Sequence, residues 1–151
     1  MQLGIDWIQT HLPHQGSMCL LNQVLSWNAD SICCQATSHR LSSNPLRYHN
    51  QLGAACGIEY AAQAIALHGA LLTPEGATSR VGYLTSVRSV ETWVKRLDDL
   101  DLPLTIKAER QGGDARMVIY SFSVLAGQRL LQSGRASVIL DALEPGTTPT
   151  P

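Results

Sequence analysis

Glu59 is the one formally charged side chain in the twenty-two residues from Gln51 to Leu72, QLGAACGIEYAAQAIALHGALL. A carboxylate among small and apolar neighbours loses hydration at a cost of several kcal/mol unless a partner offsets it, and burial drives its pKa upward. A carboxyl held protonated in this way can act as a general acid, and one held ionised as a base. Gln63 follows one helical turn later, where it can orient the carboxyl or satisfy a buried carbonyl. The purely structural alternative for Glu59 is an ion pair with Arg88 or Arg40. Gly57, just before it, either lets a ligand carbonyl approach the backbone at a helix N-terminus or permits tight helix–sheet contact. His68 lies two and a half turns beyond Glu59, roughly 13 Å along a helix and on another face, and reads as structural.

These residues need an element to hold them. Apolar residues Ile58, Ala61, Ala62, Ile65 and Leu72 recur at helical spacing, and Tyr60, Ala64, Leu67 and Leu71 make the opposite side apolar too. The spacing predicts a helix over about Ala55–Leu72, entered after the loop Ser42–Pro45 and left at Pro74–Gly76. The polar groups inside the run, the early glycines and the lack of flanking Lys/Arg clusters argue against a membrane span. Such a helix must be wrapped by other elements.

The wrapping elements read as strands. Gln23–Trp27 and Ser31–Ser38 form a hairpin through Asn28-Ala29-Asp30, and Asp6–Thr10 precedes them as a short helical turn ended at Leu12-Pro13. Val81–Val94, Leu104–Arg110, Met117–Leu125 and Leu130–Leu140 follow, separated by Asp98–Pro103, Gln111–Asp114 and Ala126–Gln128. Period-two alternation is plain in Leu104, Ile106, Ala108 and in Val118, Tyr120, Phe122, Val124. The order predicts an α+β domain over 1–143, one central helix wrapped by a curled antiparallel sheet of five to six strands, with a disordered tail at 144–151. The uncovered side of the helix calls for a second subunit.

Composition removes several function classes. The 151 residues suit one domain, and 11 basic against 12 acidic residues leave no electrostatic footprint for nucleic acid or an anionic membrane. The four cysteines lack metal-type pairs, and adjacent Cys33 and Cys34 point to opposite faces of a strand. There is no nicotinamide, flavin or phosphate-loop fingerprint, and nothing at the N-terminus marks export, so the expected compartment is the reducing cytoplasm.

The segment LPHQGSMCLLNQVL at 12–25 resembles the opening of 3-hydroxyacyl-[acyl carrier protein] dehydratases, and GIEYAAQAIALHG at 57–69 is similar to their central helix, where a Glu is followed four residues later by Gln. In the combined shape of NPLR, GAACGIEYAAQA and GYLTSVRSV, the chain looks most like the dehydratase-like proteins of aryl polyene and related fatty acid or polyketide clusters. The resemblance covers most of 12–140 and implies the hotdog fold. Those dehydratases carry a catalytic His in a Pro/Gly-rich loop before the helix. Here NPLRYHN places His49 near that loop but only ten residues before Glu59, without the Pro/Gly stretch, and His39 is its rival. His14 matches a loop position of the family.

The resemblance implies dehydration of a 3-hydroxyacyl thioester, with His49 or His39 as the base for the C2 proton and Glu59 as the acid for the leaving C3 hydroxyl. The acyl group would ride on phosphopantetheine with no further cofactor and no metal, and the partners would be an acyl carrier protein and a second hotdog subunit. Arg80, Arg88, Lys95 and Arg96 are candidates to meet the phosphate, although Lys95 and Arg96 read better as surface charges. Two other classes fit the same fold: a non-catalytic subunit that binds acyl thioesters or supports a partner dehydratase, and a thioesterase in which Glu59 activates water.

Overall fold

The computed structural model describes residues 2–12, 16–73 and 82–140. The loop histidine His14, the helix exit at Pro74–Gly76, Arg80 and the tail from Glu144 lie outside the described residues. The elements in chain order are β1 (Leu3–Gly4), α1 (Ile5–His11), β2 (Gln23–Trp27), β3 (Ser31–Ala36), α2 (Gly57–Leu72), β4 (Gly82–Thr92), β5 (Leu104–Gly113), β6 (Met117–Ala126) and β7 (Arg129–Leu140). Single turns of 3-10 helix occupy Gly16–Met18, Ser38–Arg40 and Ala54–Cys56.

All seven strands join one antiparallel sheet in the order β1-β2-β3-β5-β6-β7-β4. This is the α+β hotdog architecture with one strand more than expected. The addition is β1, whose two residues pair with Gln23 and Val24 and are too short to show an alternating pattern. The turns follow from their side chains. Asn28 Oδ1 accepts bonds from the backbone N–H of Asp30 (2.8 Å) and Ser31 (2.9 Å), closing the β2–β3 hairpin. The β5–β6 turn is shorter than the expected Gln111–Asp114: Gly113 stays in the strand at φ +138, where a Cβ would strike the Met117 carbonyl.

Alternate residues of β3, β5 and β6 form the floor on which α2 lies: Ile32, Cys34 and Ala36; Leu104, Ile106 and Ala108; Val118, Tyr120, Phe122 and Val124, all buried. Cys34 faces this core, where burial pushes its thiol up to about 12, whereas Cys33 points to the other face beside Lys107. All four cysteines are free thiols. No helix among the described residues is long and apolar enough to cross a membrane.

The buried polar groups of α2 are tied into networks. Tyr60 is fully buried; its hydroxyl receives an Asn44 Nδ2–H (3.1 Å) and meets Ser38 Oγ at 2.8 Å. Ser38 spends its own proton on the Leu20 carbonyl at 2.7 Å, so Tyr60 is the donor to Ser38. His68, also fully buried, donates from Nε2 to the Asn28 carbonyl (2.8 Å), which leaves Nδ1 to accept the Tyr120 hydroxyl proton at 2.6 Å. The structural reading of His68 is what the fold shows.

Burial lowers the pKa of both His68 and His39 below the ordinary histidine value. The unfolded chain then binds more protons than the folded one once pH falls below about 6.5, so stability is fully present above that pH and declines as pH drops through the window below it. We expect the thermal midpoint to fall between pH 7.5 and pH 5.5, and to fall less steeply in His68→Gln. An equal pH slope in the two proteins would assign the acid sensitivity elsewhere.

Candidate active site

The start of α2 is fixed from two sides. Gly53 is extended (φ -64, ψ 152), the Ala54 N–H donates to the Lys95 carbonyl at 3.1 Å, and the Cys56 N–H returns to the Gly53 carbonyl at 3.0 Å. The chain therefore enters the helix through a 3-10 turn whose first donor is held by the segment after β4. Glu59 sits in the first turn of α2.

Glu59 is half-buried, less enclosed than the apolar run suggested. The reason is helical phase. Residues 60, 61, 63, 64, 65, 67 and 68 face the sheet and loops, whereas Glu59, Ala62, Ala66, Gly69 and Thr73 form a stripe that is half-open or exposed in the single chain. Of the two cations considered as its partner, Arg40 instead pairs with exposed Asp101 at 3.7 Å.

Gln63 is fully buried with both ends of its amide engaged by the loop before β2: Oε1 accepts the Leu20 N–H at 2.9 Å and Nε2 donates to the Met18 carbonyl at 2.7 Å. Of its two sequence readings, the structure shows the satisfied carbonyl. The loop 16–21 is thereby fastened one turn beyond Glu59.

Gly57 is buried, with its N–H bonded back to the Ala54 carbonyl. A Cβ there would collide with Gln132 Oε1 and lie 3.5 Å from Val124. Gly57 thus serves close helix–sheet approach, the second of its two readings. Gln132, 1% exposed on β7, donates from Nε2 to the Ala54 carbonyl (3.1 Å) and to Thr92 Oγ1 (3.3 Å), linking the helix start to β7 and β4. Nothing in the alternating pattern of β7 singled it out.

The two candidate histidines are placed very differently. His49 and Asn50 take positive φ (50 and 60) at the tip of a tight hairpin, closed by reciprocal bonds between Tyr48 and Gln51 at 2.9 and 3.0 Å. The His49 ring is exposed and stands edge-on to Tyr48, centroids 4.1 Å apart. His39 is fully enclosed, and its Nε2–H is shared between the carbonyls of Leu100 (3.2 Å) and Leu102 (3.1 Å).

Asp98 holds the His49 hairpin against the body. Its side chain is 5% exposed and accepts from the Leu52 N–H (2.9 Å) and from Arg96 through both Nε (3.0 Å) and Nη2, with Arg47 Nη1 at 3.8 Å. The Arg96 bonds hold its carboxyl well below the usual carboxylate range. Arg47 also donates to the Asn50 carbonyl at 3.2 Å, which ties the hairpin tip to the same knot. In sequence, Asp98-Asp99 carries only a turn signal.

Arg88 is placed by the register. It pairs with Arg135 on β7, between Gly134 and Ala136, which face the core, so both arginines stand exposed on the face of the sheet opposite α2. Lys95 and Arg96, by contrast, border the helix start. Among the described residues no group of three His, Cys, Asp or Glu side chains comes together to hold a metal.

Comparison with known proteins fits this architecture. The ApeP-like family, described as ApeP dehydratase, matches residues 7–145. A chain of the dehydratase heterocomplex ApeI:P from Xenorhabdus doucetiae is 22% identical, with a TM-score of 0.77 over 88% of this chain and 90% of that one. A thioesterase from Haemophilus influenzae is 11% identical, with a TM-score of 0.67 over 96% of each chain. A hypothetical protein of Staphylococcus aureus is 12% identical, with a TM-score of 0.59 over 80% and 93%. No curated protein matches.

Two stability outcomes follow from these contacts. Gly57→Ala should lower the denaturation free energy by about 1 kcal/mol or more through the clash with Gln132, although alanine is the better helix former by about that amount. In a Gln132→Ala background the same change should stabilise, and a double-mutant cycle without that sign reversal would reject the packing role. Asp98→Asn should cost on the order of 2 kcal/mol at pH 7, since it leaves Arg47 and Arg96 without their carboxylate. A urea midpoint equal to wild type would refute the knot.

Proposed function

The chain belongs to the ApeP-like family of dehydratases, and on that premise we propose that it removes water from 3-hydroxyacyl thioesters carried on an acyl carrier protein, giving trans-2-enoyl thioesters in fatty acid, polyketide or aryl polyene synthesis. The observation that carries this reading is Glu59 at the head of the open stripe of α2, followed by Ala62, Ala66 and Gly69. A carboxyl in the first turn with small residues behind it is a place where an acyl thioester can lie along a helix with its reacting carbons beside an acid.

In the proposed reaction a base takes the proton from C2, the C–H electrons form the C2=C3 bond, the C3–O bond breaks, and Glu59 protonates the departing hydroxyl to give water. Of the two histidines, His49 is favoured as the base because its ring is accessible, whereas the Nε2–H of His39 is committed to Leu100 and Leu102. His49 acts from the hairpin of the same chain or of a partner subunit.

A second hotdog subunit is part of this proposal. Strand β4 is the sheet edge and, except for Ser86 and Val87, is exposed along its length, with Tyr83 56% and, just after it, Trp93 50% exposed. An exposed edge strand of eleven residues that carries Tyr83, Leu84 and Val90 among its polar side chains invites strand pairing or a covering subunit. Either a second copy or a different hotdog chain would fit. The four free thiols suit a reducing cytoplasm.

Mass spectrometry of 3-hydroxyacyl and trans-2-enoyl thioesters on a carrier protein tests the reading, alone and with a candidate partner subunit. We expect interconversion in wild type and at least a hundredfold loss in both Glu59→Gln and His49→Ala. Loss in Glu59→Gln alone would move the base to His39. Release of free acid would mean thioester hydrolysis, and an unaltered thioester would point to an auxiliary subunit.

A further inference from the structure

The charged segment after β4 forms more than a surface. Val94, Lys95, Arg96, Asp99 and Leu100, together with Arg129 at the start of β7, line a cleft of about 400 Å³. Its rim carries three cations and one carboxylate over an apolar floor of Val94 and Leu100. Arg96 is already engaged by Asp98 and lies 4.0 Å from Asp99, whereas Lys95 and Arg129 have no ion-pair partner among the described residues. The cleft therefore keeps uncompensated positive charge beside a fixed guanidinium.

Its position gives the charge meaning. Lys95 contributes the carbonyl that receives the Ala54 N–H, and Arg96 pairs with Gly53, so the cleft adjoins the turn that leads into Glu59. Leu97 N–H to the Leu52 carbonyl at 2.8 Å fastens the two segments together. An anion seated there would be held a short distance from the start of α2.

We propose that this cleft binds the phosphate of the 4′-phosphopantetheine arm, with Lys95 and Arg129 as its direct contacts and Arg96 as an oriented background charge. The assignment rests on the dehydratase reading for the identity of the ligand. A phosphate oxygen suits an ammonium and a guanidinium, and the apolar floor suits the gem-dimethyl group next to that phosphate in the arm. The chemistry is common to a carrier protein and to coenzyme A, because both present the same arm.

Calorimetric titration with pantetheine and with 4′-phosphopantetheine isolates the phosphate, since the two ligands differ in nothing else. Wild type should bind the phosphorylated arm at least tenfold more tightly, and less so at high salt. The Lys95→Ala/Arg129→Ala variant should lose that preference while retaining the wild-type melting temperature, because both side chains are exposed. Glu59→Gln should keep the preference even where turnover is lost, which separates failure of the phosphate site from failure of the proposed reaction. Equal affinity for the two ligands in wild type, or a preference that persists in the double variant, would overturn the assignment. So would a variant that weakens binding of a holo-carrier protein but not of 4′-phosphopantetheine, since that would make the cleft a docking surface for the carrier itself.

Discussion

A helix with no polar face has to be enclosed, and a single sheet has only one side to give. That constraint governs α2 and, through it, the rest of the molecule. The curled sheet and its loops cover Tyr60, Ala61, Ala64, Ile65, Leu67 and His68. The stripe beginning at Glu59 is left to be covered by something other than this chain's sheet. The same feature that makes the helix dependent on its surroundings leaves the carboxyl accessible.

Enclosure also sets terms for every polar group that the helix buries. Tyr60, Gln63 and His68 are each bonded to backbone or side chains far away in sequence, in Leu20, Met18, Ser38, Asn44, Asn28 and Tyr120. A buried donor or acceptor left unmade costs about as much as a hydrogen bond contributes or more, so these bonds fix which loops may lie against the helix. They act as addresses for the loop before β2, the turn of the first hairpin and the segment 38–44.

The entrance to α2 is organised by charge. Asp98 gathers Leu52, Arg47 and Arg96, while Gln132 joins the Ala54 carbonyl to Thr92. These contacts bring the His49 hairpin, the helix start, the segment after β4 and the first residues of β7 to one end of the sheet. The segments that carry His49, Glu59, Lys95 and Arg129 are thus tied to one another by structural contacts, before any substrate is considered.

The helix and the strand pattern were legible in the sequence because each depends on local periodicity, and Glu59 stood out as one charge in an apolar run. So was the opposed placement of Cys33 and Cys34, which follows from strand pleating alone. The two-residue β1 left no pattern to read. The choice between readings of Gly57 and Gln63 waited on which residues oppose them, Gln132 in one case and Met18 and Leu20 in the other. Arg88 went to the outer face, and Asp98 became the hub, through register and long-range pairing. Periodicity says which residues share a face. Only tertiary structure decides what that face meets, because its partners come from segments tens of residues away that no local pattern connects.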